Sequence, residues 1–453
     1  MTSTLALERN ALQNLSHILH NRPNQQINLD SFLASCEADL GQLSFSYKNS
    51  ELCGASLHPD FIAFLQNRLQ NRIQLLANFH AKLSHVLHDG RRGNCMNVTF
   101  LNGDSHNSGQ RPVLLESDGV RSVLKFTDPR TTLTYNTLLQ AAQQHSGLPP
   151  CALQVRYNNS YRFQISPYLE HSSSLDANAA EIYGHMLGIH LAVSYFLQMT
   201  DLHFENVITS EGIPYVVDTE CMLYGFYDYP TPSDFRLMNT GLIAPKKSLS
   251  GIAGGDEAVS NIELHINKAN QVKYTQDNRA FQNRLHDKEG ARIPIKSYKN
   301  YIISGFRESF TFLLNNKLRL INEIPAPIIL KFRTRFLFRT TAHYKTVVDR
   351  IHSPNRDGSH SRYLESTLSD FCRSGFLPQK INDQVIIKEI NDLLNGDIPF
   401  FWINSSSDRI LHKSGLAMKH LLIPSLRTRI DRAIQSLSED DLEPLSLLLE
   451  DNL

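Results

Sequence analysis

The residues whose types and spacing best suit chemistry are the run Asp201-Leu202-His203-Phe204-Glu205-Asn206 and, beyond an alternating stretch, Asp218. Phosphoryl transfer needs a carboxylate near the attacking hydroxyl and oxygen ligands for the magnesium that bridges nucleotide phosphates. Kinase-type sites put the first Asp on a loop after a helix, an Asn five residues on, and a second Asp after a hairpin. Here Asn206 stands five residues after Asp201, VITSEGIPYVV reads as the hairpin, and Asp218 closes its second strand. Taken singly, Asp201 is a turn cap, Asn206 a strand start, Asp218 a strand-end residue and His203 a loop histidine. Taken in this order they form a candidate catalytic set, with Asn206 and Asp218 as magnesium ligands and ATP as the expected phosphoryl donor.

A site of this kind also needs a lysine for the nucleotide, and Lys125 in VRSVLKF is a lone cation in an apolar strand. Its burial demands an anionic partner, either a phosphate or a structural carboxylate. The preceding turn, NGDSHNSGQ, carries Gly103 and Gly109 and suits a phosphate-cradling loop. A carboxylate there would repel phosphate, so Asp104 and His106 read by themselves as an Asx turn and a surface histidine. Downstream, KFRTRFLFRTTAHY brings Lys331, Arg333, Arg335 and Arg339 close together. A bidentate arginine can clamp a phosphate; a solvated basic face of a helix or strand is the plainer alternative.

The elements that must position these residues follow from periodicity. Leu65, Leu69, Ile73, Leu76 and Phe79 recur at helical spacing within a mainly helical region of residues 1–94. In 95–175 short β-rich runs alternate with turns, including a hairpin at the NNS of residues 158–160. Helix returns at 176–199, loops with short elements fill 231–292, and residues from Ser297 onward read as mostly helical. Strand-rich followed by helix-rich sequence predicts two lobes and a ligand cleft between them. Lys plus Arg and Asp plus Glu are both 45, which excludes a general polyanion binder, so no nucleic-acid partner is expected. The six cysteines show no CxxC pair, which argues against a disulfide framework or a Cys-rich zinc site. No secretory signal and no membrane-spanning run is visible, so a soluble protein of the bacterial cytoplasm is expected.

At this point the motifs become recognisable. YGHMLGIHLAVSYFLQMTDLHFENVITSEGIPYVVDTECML resembles the dehydratase domain of class II lanthipeptide synthetases, the LanM family, around its T-D-L-H-x-E-N and I-D-x-E motifs. NGDSHNSGQRPVLL resembles the family's G-D-x-H segment, RTRFLFRTTAHY its R-x-x-x-R-x-T-x-x-Y segment and NGDIPFFW its G-D-I-P-Y-F, so residues 95–405 are covered in order. The resemblance implies an α+β, two-lobed, kinase-like fold related to lipid kinases, with a helical N-terminal region and a helix-rich C-terminal part. It implies phosphorylation of Ser or Thr in a peptide or protein with ATP and Mg2+, then elimination to dehydroalanine or dehydrobutyrine. Lys125 would then contact nucleotide phosphates, Asp201, His203 and Asn206 would serve phosphoryl transfer, and Asp218 and Glu220 would hold the metal and its surroundings. Asp104, His106, Arg335 and Thr341 would serve elimination, which needs a base for the Cα proton and a cationic hold on the leaving phosphate. His106 is a candidate for the base.

The chain departs from the family where Y-K-P-R becomes Leu124-Lys125-Phe126 followed by Thr-Asp-Pro129-Arg130. It also ends where family members continue into a zinc-dependent cyclase, so ring closure is not expected of it. The division expected is 1–94 helical, 95–175 small lobe with phosphate loop and lysine, 176–430 large lobe, and 431–453 an acidic tail. That tail, SLSEDDLEPLSLLLEDNL, resembles glutamate-rich signals of effectors exported by type IV secretion, which fits an enzyme that modifies host proteins. A protein kinase without elimination, and a nucleotide-binding pseudoenzyme or interaction protein, are the alternatives.

Overall fold

Apolar residues at three- and four-residue spacing make the N-terminal region a helical layer. Helices α1 (Thr4–His20), α2 (Leu29–Leu52) and α3 (Pro59–His88) follow one another. The face of α3 bearing Phe61, Leu65, Leu69, Ile73, Leu76 and Leu83 is buried, as the periodicity predicts. It packs with Leu15, Phe32 and Leu40 onto Val98, Val113, Leu115 and Leu124 of the first sheet, forming one core. The structure is a computed structural model that describes residues 4–20, 27–52, 59–88, 95–101, 105–158, 160, 162–171, 177–223, 232–243, 250–254, 262–266, 272–276, 282–287, 289–325, 328, 331–351, 359–373, 383–404, 409–419 and 435–453.

The first sheet is antiparallel, in the order β1 (Asn97–Phe100), β2 (Val113–Ser117), β3 (Val120–Lys125), β5 (Gln164–Pro167), β4 (Arg156–Tyr157). The β4–β5 pair is the hairpin expected at NNS. Between β3 and β4 runs α4 (Pro129–Ser146), which the strand-rich reading of this region did not foresee. Thr131, Thr132, Thr134 and Tyr135 favour strands by type, but Asp128 caps the helix, Pro129 opens it and Gly147 closes it at φ 66°. Leu138, Leu139 and Ala142 of α4 are buried in a second, larger core, so the division along the chain is not the division in space.

The larger core is built on α5 (Ala177–Phe196) and α7 (Lys299–Glu323). From Met186 onward α5 has nearly every residue buried, because it is covered on all sides. Its one strongly polar core residue, His190, bonds to the Tyr135 hydroxyl at 2.7 Å and to Pro214 O at 3.0 Å. The two helices approach so closely that a Cβ at Gly188 would lie 2.3 Å from Ile302 O. After α5 come the hairpin β6 (Val207–Ser210) and β7 (Ile213–Val216), then α6 (Ser233–Asn239). The region 231–292, expected as loops with short elements, also holds the hairpin β8 (Ile262–Ile266) and β9 (Val272–Gln276); much of the rest lies outside the described residues.

The C-terminal part contains α8 (Thr341–Ile351), α9 (His360–Arg373), α10 (Asp383–Leu394) and α11 (Leu442–Asn452). It also contains a four-stranded antiparallel sheet, β10 (Arg333–Phe336), β11 (Phe401–Asn404), β12 (Arg409–His412) and β13 (Gly415–Lys419), where mostly helix was expected. Its strands are four or five residues long, and β10 pairs with a strand far along the chain, so no local pattern announces the sheet. The acidic terminus is α11, with Leu445 and Leu449 buried in the larger core. No helix among the described residues is long and apolar enough to cross a membrane.

Gly188→Ala forces a methyl group against Ile302 O and against Phe306 N, 2.4 Å away. Since backbone must move to admit it, stability should fall by about 1–3 kcal/mol, measured by urea unfolding.

Candidate active site

Lys125, at the end of β3, projects from the sheet of the smaller core toward a strand-like segment after β7 that belongs to the larger one. Its ammonium donates to Val217 O at 2.9 Å and to Asp218 Oδ2 at 3.1 Å. The partner demanded by the sequence is therefore a carboxylate, and that carboxylate is itself the candidate metal ligand. Asp218 lies two residues past β7 rather than in it. Asp218 and Glu220 flank Thr219, which is buried and hydrogen-bonded to Thr132 of α4 at 2.8 Å. The Asp-Pro-Arg departure after Lys125 has a local role: the Asp128 carboxylate accepts from Arg130 N at 3.0 Å and from Arg333 N at 2.9 Å, tying α4 to β10.

The loop after α5 is held from several sides. Gln198 and Asp201 adopt left-handed backbone, at φ 47° and 69°. Thr200 N donates to Cys221 O at 3.0 Å, Leu223 N to Leu197 O at 2.8 Å and Leu202 N to Thr240 O at 2.9 Å. A Cβ at Gly251 would lie 2.3 Å from Leu202 O, so only glycine lets this chain segment close on the loop. Asn206 Nδ2 donates to Asp201 O at 2.7 Å. A carbonyl can only accept, which fixes the amide orientation and leaves Oδ1 for another role. His203 caps the one-turn helix Phe204–Asn206, its Nδ1 accepting weakly from Glu205 N at 3.4 Å.

Strand β10 brings the arginine. Thr334 Oγ1 donates toward Glu220 O at 3.1 Å and Met222 O at 2.7 Å, while Arg335 N donates to Glu220 O at 2.8 Å. This lays β10 beside the segment after Asp218 and carries the Arg335 guanidinium to Glu220 Oε1, 2.6 Å from NH1. Arg335 is 8% exposed, and its Nε and NH2 have no hydrogen-bond partner among the described residues. Burial works against its charge, but Glu220, and farther off Asp201, hold it firmly protonated. Burial also opposes the Asp218 charge, yet Lys125 and the Glu220 amide keep its carboxyl below the usual range. Glu220 goes the other way: burial and then the Asp218 charge push it up to about 7, against the pull of Arg335.

His106 joins the same group. Its backbone bridges both Gln110 and Ile398, and its ring stacks on Phe400 with centroids 4.8 Å apart and planes at 22°. The Arg335 Cζ lies 5.2 Å from the same Phe400 ring. Burial, and then the Arg335 charge, push His106 down to about 3, and its buried Nδ1 has no partner among the described residues. The structure thus brings Lys125, Asp218, Glu220, Arg335 and His106 together, with Asp201 and Asn206 on the adjoining loop. Thr341 begins α8 and makes no hydrogen bond to this group among the described residues. Asp104 and Gly103 lie outside the described residues. Asn206 Oδ1, the Asp218 carboxylate and the unpartnered Glu220 Oε2 are hard oxygen donors of the kind magnesium takes, usually alongside substrate phosphates.

Residues 57–404 match a domain of unknown function, DUF4135. The chain belongs to the DUF4135 family. It is also 26% identical over 273 residues to the lacticin 481/lactococcin biosynthesis protein LcnDR2 of Lactococcus lactis subsp. lactis, a match covering 54% of this chain and 28% of that protein. The DUF4135 chain therefore spans little more than a quarter of the curated relative it matches, and the two findings together support a LanM-like protein, as the motifs implied.

Two parts of the site escaped the sequence reading. Phe400, inside NGDIPFFW, touches both His106 and Arg335, and Asp397 of the same motif is buried and polar. Their motif was visible, but an aromatic and an acid in a turn carry no sign of what they will face.

A glutamate whose folded-state pKa is raised binds its proton more tightly folded than unfolded, so its contribution to stability is lost as pH rises toward the folded value. Relative to Glu220→Gln, the wild-type DUF4135 chain should lose on the order of 1 kcal/mol per pH unit from about pH 5 to the Glu220 value near 7, with no further loss above it. Urea unfolding of both proteins at a series of pH values checks this, and a gap independent of pH would show Glu220 ionised throughout.

Proposed function

We propose that this chain is a LanM-like dehydratase, which phosphorylates Ser or Thr of a peptide or protein with ATP and Mg2+ and then eliminates the phosphate. The observation that carries the reading is Arg335: buried, charged and paired through NH1, with Nε and NH2 unpartnered among the described residues, against the same Phe400 ring that His106 stacks on. A guanidinium in that state is suited to an oxyanion with several acceptor oxygens. The relation to a lacticin 481 biosynthesis protein supports a Ser- or Thr-bearing precursor peptide as the substrate class.

In phosphorylation, ATP supplies the phosphoryl group when bound. Lys125, which pairs with Asp218 here, would neutralise charge on the nucleotide phosphates, and Asn206 and Asp218 with Glu220 would supply oxygens to the magnesium. The Asp201 carboxylate would take the proton of the substrate hydroxyl as that oxygen bonds to the γ-phosphorus and the bond from phosphorus to the bridging oxygen breaks, ADP leaving; His203 lies on the same loop. Lys125 and Asp218 come from elements of different cores, as a two-lobed, kinase-like arrangement requires.

In elimination, a base removes the Cα proton, the electron pair forms the double bond, and the carbon–oxygen bond breaks with phosphate leaving. Arg335 holds that phosphate through Nε and NH2. His106 is depressed partly by the Arg335 charge, so an anion arriving at Arg335 raises its basicity. The candidate base therefore strengthens only with the phosphorylated substrate in place. The family motifs would add Thr341 and Asp104 to the elimination half.

Intact-mass measurement of a Ser/Thr peptide incubated with ATP and magnesium tests both halves. Wild type should give products lighter by one water; Arg335→Ala should instead accumulate products heavier by one phosphoryl group. Equal phosphorylation by both proteins would leave a kinase alone. Thermal stabilisation by ATP with magnesium should vanish in Asp218→Ala, and its absence in wild type would sink the nucleotide-dependent reading. Trp402, the one tryptophan, lies opposite Arg335 in the β10–β11 register, so its fluorescence should change when an anion binds Arg335.

A further inference from the structure

The turn expected to cradle phosphate already cradles a carboxylate of the chain itself. Asn107, Ser108 and Gly109 are successively left-handed, at φ 48°, 74° and 80°. Two such residues without glycine's freedom are costly unless their surroundings hold them, and a run of turned amides forms an anion-binding concavity. Ser108 N donates to Asp397 Oδ2 at 2.9 Å, and Gly109 N reaches both oxygens at 3.1 and 3.2 Å. Ser105 Oγ donates to Oδ1 at 2.6 Å.

Asp397 is fully buried and is the meeting point of a wider network. Arg72 of α3 donates through NH1 to Asp397 Oδ1 at 3.2 Å and to Ser105 Oγ at 3.0 Å. The rest of the Arg72 fork is taken by Asp39 of α2, at 2.7 and 2.9 Å, and Asp39 also pairs with Arg111. On the other side Lys413 reaches Asp397 Oδ2 at 3.2 Å and Asp392 Oδ1 at 2.7 Å. Burial opposes the Asp397 charge, but Arg72 and then Lys413 outweigh it and keep the carboxyl below its usual range.

One short segment, residues 397–400, therefore holds the turn that bears His106 at three points. Asp397 takes its amides, Ile398 N donates to Ser105 O at 2.7 Å, and the Phe400 ring stacks on the imidazole. Glycine suits position 109, since a side chain there would be strained at φ 80° and its Cβ would lie in tight contact, 3.2 Å, with Leu75 Cβ on α3. We infer that Asp397, gripped by Arg72, is a positioning residue that holds the His106 turn in register with Arg335, and that helices α2 and α3 are thereby part of the site's framework. The device acts through His106 and not on substrate. Its catalytic consequence rests on the dehydratase reading; the positioning itself does not.

The test uses the full chain with Asp397→Asn, which keeps the shape and removes the charge. Exchange of the Ser108 and Gly109 amides, followed by mass spectrometry of the 105–110 segment, should quicken about tenfold or more while α5 stays protected. With ATP, magnesium and a Ser/Thr peptide, elimination should slow by about tenfold or more and phosphorylation change little, so that phosphorylated product accumulates. If Asp397→Asn does not fold, Arg72→Lys takes its place, since it keeps the charge but loses the fork; the same two readouts should move part-way. Unchanged exchange, or phosphorylation and elimination falling together, would overturn the inference. Wild type producing neither phosphorylated nor dehydrated peptide would defeat the dehydratase reading instead, and the exchange measurement would still decide the positioning.

Discussion

Two cations and two carboxylates meet where the two main cores face each other, and the rest of the site depends on their balance. Lys125 pairs with Asp218 and Arg335 with Glu220. The Arg335–Glu220 pair is buried, and removing one partner of such a pair typically costs about 3–5 kcal/mol, whereas Lys125 and Asp218 remain partly exposed. The pairing also selects which acid keeps its charge. Asp218, bound to Lys125 and to an amide, stays ionised, while Glu220 between burial and Asp218 holds its proton to about pH 7. A divalent cation among these oxygens would remove that difference, since its charge favours ionisation of both acids.

The surrounding structure can be understood as what keeps these charges in place. Thr219 anchors the backbone between the acids to α4, and Thr334 fastens the next turn of chain to β10. Glycines at 188 and 251 let helix and loop backbones approach closely enough to fix the loop after α5. These are packing devices, but each one sets the reach of a charged side chain. A shift of even an ångström at such a site carries a large kinetic cost.

A second buried charge system, Asp39–Arg72–Asp397–Lys413, lies beside the first and is built differently. It runs through three otherwise distant parts of the chain and ends on backbone amides rather than on a ligand. A buried ionic network is weak evidence for stability, because the same volume filled with apolar side chains is often as stable. What it supplies is a unique geometry for a strained turn.

Much of this was legible in the residues. The helical face of α3, the hairpins at 158–160 and 207–216, the buried helix before Asp201, and the candidates Lys125, Asp201, Asn206, Asp218 and Arg335 all follow from local period, turn chemistry and motif order. Such features depend on neighbours in sequence. The second sheet, the recruitment of α4 into the larger core, and the burial of α11 were not legible, because short strands and helix faces show their type but not their partners. The role of the 105–110 turn also changed: its composition suited an anion, and only tertiary contact decided that the anion is Asp397. Residue types and spacing determined which groups this protein has for chemistry. The fold decided which of them meet, because charges buried at long sequence separation are paired by packing and not by pattern.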